Sequence, residues 1–188
     1  MTTTITIPAG AAQLPRWRGL LVPYVTEWTS HGQPMWPTIT TPEYGPTKSC
    51  TCRPGHGEPL FTEICGARLR EAVTRQLCQT CGHHVPGDDM VFLGGHGSTV
   101  YANAAMHADC CRYALQVCSG LLKAMPEDRW YVAAAVGYTI LLQVKDVERF
   151  VPADERHLHD GPVTHWYPRP VITSYTRAAD WLAEQASR

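Results

Sequence analysis

Two short motifs constrain the fold of this chain more than any other feature of its sequence. The first is Cys78-Gln79-Thr80-Cys81-Gly82, where the glycine permits a tight return of the backbone after two closely spaced thiols. The second is His107-Ala108-Asp109-Cys110, farther along the chain. Thiolate and imidazole groups in this spacing are usual tetrahedral ligands of zinc. The sequence therefore predicts one Zn²⁺ site formed by Cys78, Cys81, His107 and Cys110.

The second motif opens a segment with helical periodicity, which we expect to continue to Cys118. His107 and Cys110 are three residues apart, so both can face one ion from a single helical turn. Cys118 lies about 12 Å farther along the helix axis, which is too far to join the same ion unless the helix breaks. Cys118 is therefore interpreted as a buried core thiol. The alternative that Cys118 replaces His107 as the fourth ligand stays open.

Between the two motifs, the sequence predicts a β-hairpin. Met90–Leu93 and Ser98–Tyr101 are β-prone runs on either side of a glycine-rich turn. The first motif has the form of a zinc knuckle, a tight turn that presents two cysteines. A knuckle, a hairpin and a helix in this order are typical of a treble clef. With a predicted amphipathic helix at Glu63–Leu77, these elements form a zinc lobe at about residues 63–124.

The remaining pattern predicts a single α+β domain over residues 16–188, preceded by a loose arm at residues 1–15. Residues 130–144 form the most apolar run, whose β-branched and aromatic content favours two core strands or one long bent strand. A helix through its alanines stays open. With a further strand at Pro162–Tyr167, this run predicts a small additional sheet.

The chain should end in a helix. Ser174 or Thr176 is the expected N-cap, because a hydroxyl at that position accepts a hydrogen bond from the first turn. The residues expected to face inward are Ala179, Leu182, Ala183 and Ala186.

A second group of potential ligands lies in or beside a proline- and glycine-rich stretch. It consists of Cys50, Cys52, His56 and Cys65, whose spacing matches no standard zinc knuckle. Two interpretations remain open for this group: a second zinc site, or thiols that bind no metal.

The net charge and the composition limit the classes of partner that we expect. The formal net charge is −1 and the sequence pI is about 6.7, so no global field attracts nucleic acid or an anionic membrane. A protein partner is favoured, and nucleic acid would require a local patch. No apolar run is long enough to span a membrane and no secretory pattern is present, so we expect a cytoplasmic protein of undetermined oligomeric state. The candidate patch is Arg16, Arg18, Arg68 and Arg75.

Several blocks spread over most of the chain carry a family resemblance: Arg16–Leu20, Val22–Val25, Arg68–Ala72, Leu77–Gly82, His107–Cys118, Val163–Tyr167 and Thr176–Ala178. In this order they resemble a family of small cysteine-rich proteins of actinobacteria and their phages. The resemblance implies a zinc site and a phage or actinobacterial context, and it implies no activity. The chain departs from the family at Ser119, where a proline is common, and at Ala179, where an acidic residue is common.

Three functions are compatible with parts of this pattern. A closed four-ligand site leaves no position for water or substrate, which favours a structural zinc in a protein that acts by binding. The alternative is a metal-dependent nuclease of the His-Asn-His type, which also uses a treble clef and would draw on His83, His84, His96 and Asn103. A thiol redox role for Cys78 and Cys81 is disfavoured, because no thioredoxin-like pattern surrounds them.

Overall fold

The computed structural model describes residues 5–29, 37–118 and 129–186. Three α-helices lie in these ranges: α1 (Gly66–Thr74), α2 (Ala108–Val117) and α3 (Ala178–Ala186). The strands, in chain order, are β1 (Arg16–Trp17), β2 (Leu20–Leu21), β3 (Thr26–Trp28), β4 (Thr38–Thr41), β5 (Gly45–Lys48), β6 (Pro59–Ile64), β7 (Met90–Gly94), β8 (Met106–His107), β9 (Tyr131–Val144), β10 (Val151–Pro152) and β11 (Val163–Arg177).

A seven-stranded sheet organises the chain in the order β4-β5-β11-β9-β7-β8, with β10 also paired to β9. Its neighbours are antiparallel except for the parallel pair of β5 and β11, which meet at Val163 and Thr47. The apolar run at 130–144 is one long strand, which settles the choice among two strands, one long strand and a helix. The predicted small sheet is therefore a large one.

The predicted hairpin between Met90–Leu93 and Ser98–Tyr101 is wrong in its second strand. β7 pairs instead with β8 on one side, where Met90 faces His107, and with β9 on the other, where Met90 faces Ala135. The segment before β8 packs against β7 through side chains. Tyr101 is buried with its ring 5.1 Å from that of Phe92, and its N–H donates to the Pro168 carbonyl.

The helices follow the predicted pattern with shifted ends. α1 is shorter than expected because β6 occupies residues up to Ile64, and it buries Leu69, Ala72 and Val73. α2 covers the predicted segment.

The predicted caps of the last helix are wrong, because β11 continues to Arg177 and includes both Ser174 and Thr176. Its inward face is also shifted: Ala178 and Trp181 are buried and Leu182 is half-buried. Ala179, Ala183 and Ala186 are exposed.

The first described residues are packed, which differs from a loose arm over 1–15. Ala9–Ala11 form a 3-10 turn, and Ala11 is fully buried in the same core cluster as Cys78 and Val85. Ile7 and Leu14 pack against that cluster. Burial of these apolar side chains removes them from water, which holds the arm to the body of the protein.

The described ranges together form a mixed α+β domain with a large sheet and a C-terminal helix. β7 and β8, which belong to the predicted zinc lobe, are strands of the main sheet. Residues 119–124 of that lobe lie outside the described ranges. No helix in the described part is long and apolar enough to cross a membrane.

Candidate metal centre

The knuckle at residues 77–84 is a tight loop closed by backbone hydrogen bonds. The Cys78 N–H donates to the His83 carbonyl at 2.7 Å, and the Gly82 N–H donates to the Cys78 carbonyl at 2.8 Å. Gly82 has a φ of +76°, a conformation that residues with a side chain rarely adopt. This return of the chain turns the Cys78 and Cys81 thiols toward the same point.

The junction of β8 and α2 supplies the other two donors. His107 is the N-cap of α2, and Cys110 lies in the first turn of the helix. An Asp89 carboxylate oxygen accepts the Ala108 N–H at 3.0 Å and so satisfies one of the free amides at this helix start.

The structure brings all four predicted ligands together. The sulfur atoms of Cys78, Cys81 and Cys110 and a ring nitrogen of His107 all lie within 4.8 Å of one another. The three cysteines are buried and His107 is half-buried. Four soft or borderline donors around one point could hold a metal ion, and their chemistry fits Zn²⁺.

The His107 ring is oriented for this role by its second nitrogen. Nδ1 lies 3.4 Å from the Cys81 sulfur, and Nε2 lies 2.9 Å from the His84 carbonyl oxygen. Because a carbonyl oxygen only accepts, Nε2 carries the hydrogen and donates it, which leaves the Nδ1 lone pair toward the thiols. Such a second hydrogen bond is the usual way in which proteins orient a metal-binding histidine.

The pKa values of the Cys78 and Cys110 thiols are shifted in opposite directions. Burial raises the pKa of Cys78, but hydrogen bonds from the Cys110 and Cys81 thiols and from the Cys81 and His107 amides outweigh it and hold the pKa well below its usual value. The hydrogen bonds to Cys78 and Cys81, together with burial, raise the pKa of Cys110. A negative charge is thus favoured at Cys78 over Cys110.

Two further cysteines, Cys111 within α2 and Cys118 at its C-terminal end, are not part of the donor set. Cys118 is the C-cap of α2 and is half-buried, so it is neither the predicted core thiol nor a replacement for His107. Cys111 is fully buried, and burial together with the negative charge on Cys78 raises the pKa of its thiol.

A second donor group forms from Cys50, Cys52 and Cys65, whose sulfur atoms also lie within 4.8 Å of one another. His56, the fourth residue of the predicted group, is exposed and lies outside it. Burial raises the pKa of Cys50 to about 12. Although burial also acts on Cys52, hydrogen bonds from the Trp28 amide and Cys50 and the positive charge of Arg68 lower its pKa. This group could also hold a metal ion.

The predicted arginine patch is not assembled as a single surface. Arg68 is buried, and its guanidinium donates to the Thr26 carbonyl and to the Cys52 sulfur. Arg75 is paired with Glu71 at 2.6 Å. Arg16 and Arg18 are exposed, with the Arg18 guanidinium 5.8 Å from the centre of the Trp17 ring. Two of the four cations are therefore already committed to partners within the chain.

The residues considered for a nuclease site are dispersed. His83 and His84 are exposed within the knuckle loop, and His96, which follows β7, makes an edge-on contact with the Tyr131 ring. Asn103 donates to the Leu93 carbonyl at 3.0 Å. Within the ranges that the structure describes, none of these side chains joins a group of three potential ligands.

Two residues that hold the knuckle and the start of α2 in place could not be predicted from the spacing of residues in the sequence. Tyr24 packs its ring on Gly82, and its backbone N–H donates to the Thr80 carbonyl at 2.9 Å. Asp89 caps α2 although it precedes the helix by many residues. Both contacts depend on the tertiary fold, and no local motif indicates them.

No family model, curated protein or solved structure matches this chain. The resemblance to the small cysteine-rich proteins of actinobacteria and their phages stays a prediction.

Proposed function

We propose that Cys78, Cys81, His107 and Cys110 hold one Zn²⁺ ion whose role is structural. The observation that carries this proposal is the convergence of four donors, three of them buried, in the main core cluster. Four protein ligands fill a tetrahedral zinc site and leave no position for a water or a substrate. Thiolate ligands also favour zinc over magnesium or calcium, which prefer oxygen.

The centre belongs, in this proposal, to a treble-clef-like unit. The knuckle supplies two ligands, β8 supplies His107, and the antiparallel pair of β7 and β8 leads directly into α2, which supplies Cys110. The second strand of this hairpin is Met106–His107, so its last residue is itself a ligand. This unit is continuous with the main sheet through β9.

The protein acts, we further propose, as a zinc-stabilised binding protein of phage or actinobacterial type. A net charge of −1 and the internal pairing of Arg68 and Arg75 favour a protein partner over nucleic acid. Nucleic-acid binding would depend on Arg16 and Arg18. The His-Asn-His nuclease is the second candidate, and the dispersion of His83, His84 and His96 disfavours it.

Metal content and stability test the structural role. Native mass spectrometry of the full chain should detect zinc that a strong chelator removes, and removal should lower the unfolding temperature, because a structural ion contributes folding free energy directly. Cys110→Ser should lose that ion and unfold at lower temperature. Cys118→Ser, a matched change outside both donor groups, should do neither. Equal zinc content and stability in the two variants would refute the assignment.

Fluorescence anisotropy with labelled duplex and single-stranded DNA and RNA tests the partner class. A protein-binding chain should show only weak, salt-sensitive association with each probe. Tight binding that is lost in the Arg16→Ala/Arg18→Ala double variant would assign the chain to nucleic acid. Cleavage of the same DNA in the presence of magnesium or zinc would instead favour the nuclease.

A further inference from the structure

The second cysteine group contains a buried positive charge that needs an anion. Arg68 is only 8% exposed, and its Nη2 donates to the Thr26 carbonyl and, at 3.2 Å, to the Cys52 sulfur. Among the residues that the structure describes, no carboxylate lies within the 4.0 Å limit of an ion pair with this guanidinium. An isolated buried charge is costly, so native proteins pair it.

Glu27 is a nearby carboxylate and the expected partner of the Arg68 guanidinium, but the two groups do not form an ion pair. Its side chain is buried, and burial together with the charge of Glu63 raises its pKa, while the positive charge of Arg68 acts in the opposite direction. The side chain that Arg68 does contact is Cys52. The side-chain group within hydrogen-bond distance of Arg68 that can carry a negative charge is therefore the Cys52 thiol.

The three thiols are arranged as a donor set. Cys65 is the N-cap of α1, where the helix dipole favours negative charge. The Cys52 N–H points to the Cys50 sulfur at 3.4 Å, a contact that stabilises a sulfur anion. Cys52 and Cys65 are buried and Cys50 is half-buried, so most of the group is shielded from water.

Packing alone does not account for this arrangement. Cys52 and Cys65 do belong to a small apolar cluster with Val22 and Trp28, and neutral thiols would fill that space well. Among the described residues, neutral thiols would leave the Arg68 guanidinium without an anion at ion-pair or hydrogen-bond distance. Three thiolates around a divalent ion carry a net charge of −1, and Arg68 brings the sum to zero.

We propose that Cys50, Cys52 and Cys65 hold a second thiophilic divalent ion, with Zn²⁺ as the expected metal, and that Arg68 neutralises this centre. Thiolates select such ions over hard cations. The donor set shares no residue with the first centre, so this proposal does not depend on the proposed function. Arg68 is a positioning residue here, because it acts on the ion through Cys52.

Zinc stoichiometry of the wild-type full chain, measured by native mass spectrometry after zinc loading, is the first test. We expect two zinc ions per chain. Cys52→Ser should retain one, and Cys118→Ser should retain two, so that the change in count follows the donor group and not the loss of any cysteine. Wild-type protein with a single zinc, unchanged in Cys52→Ser, would overturn the proposal.

The variants also separate the two centres. A single wild-type zinc that is lost in Cys110→Ser and kept in Cys52→Ser would support the first centre and overturn the second. The opposite result would support the second centre and refute the first. Since the wild-type count decides whether two ions bind, the test does not depend on a variant folding.

Arg68→Met tests the charge argument, because it keeps all three thiols and a similar apolar stem. Residues that support metal ligands typically change affinity by about 10- to 100-fold when removed. Competition with a coloured chelator should therefore give a weaker second zinc by about that factor, with the first zinc unchanged. If Arg68→Met binds the second zinc with the same affinity as the wild type, the role of Arg68 is overturned.

Discussion

Gly82→Ala should be among the more damaging single-methyl additions in the chain, because the glycine meets two separate requirements. Its φ is +76°, and a Cβ at this position would lie 2.8 Å from Cδ2 of the Tyr24 ring. Ordinary contact begins at 3.4 Å, so the ring would have to move by about 0.6 Å. Tyr24 has little freedom to do so, since its hydroxyl donates to Glu71 at 2.6 Å.

The expected cost can be built from the two requirements. A left-handed backbone costs a residue with a side chain about 1–2 kcal/mol. Forcing a methyl group into packed surroundings costs about 1–3 kcal/mol more. The free energy of unfolding should therefore fall by about 2–5 kcal/mol. Gly97→Ala is the matched control, because Gly97 has a φ of +70° and a Cβ added there would meet nothing within 4 Å.

Urea unfolding of both variants at the same saturating zinc concentration measures the difference, since both variants are then fully metal-bound before they unfold. Gly82→Ala should be less stable than Gly97→Ala by about 1–3 kcal/mol, which for a chain of this size is a shift in unfolding temperature of about 2–12 °C. Equal stabilities within about 0.5 kcal/mol would refute the argument that the knuckle is pressed against Tyr24.

Three further outcomes follow from other contacts. Arg156→Met removes donors to the Tyr44, His159 and Gly161 carbonyls and should lower the free energy of unfolding by about 2–5 kcal/mol in urea; a loss under about 1 kcal/mol would contradict this. Burial raises the pKa of Tyr138 from 10.0 to about 12, so its stabilisation is complete below pH 10 and is lost as the pH rises through about 12. Tyr138→Phe should reduce that alkaline loss in urea midpoints, and an unchanged profile would contradict it. His56→Ala should leave the zinc count unchanged, because His56 lies outside the three-cysteine group.

The proximity of the four donors at the first centre was predictable because each half is local. A Cys-x-x-Cys-Gly knuckle fixes two sulfurs through its own backbone hydrogen bonds. An i, i+3 pair at a helix start fixes the other two donors. The long strand at 131–144 was partly predictable from its β-branched content, but its length was not, because pairing with β11 over most of its residues extends it.

The predictions that were wrong concern features that depend on contacts between residues far apart in the sequence. Ser98–Tyr101 has the composition of a strand, but β7 already has partners on both sides in β8 and β9, so the segment packs its Tyr101 ring instead. Arg68 shares the polar composition of its neighbours in α1. Its burial results from Thr26 and Cys52, which are 42 and 16 residues away in the chain. Local periodicity contains no information about either contact.

The position of β7 between β8 and β9 has a consequence for synthesis on the ribosome. The nascent chain contains all four ligands of the first centre once Cys110 has been made, whereas β9, which pairs with the other edge of β7, begins only at Tyr131. At about 5–20 residues per second, translation from the end of β7 to the middle of β9 takes roughly 2–9 s. During that interval the edge of β7 is an unpaired, apolar template for other chains. Early metal capture would anchor the nascent segment, and completion of β9 would end its exposure.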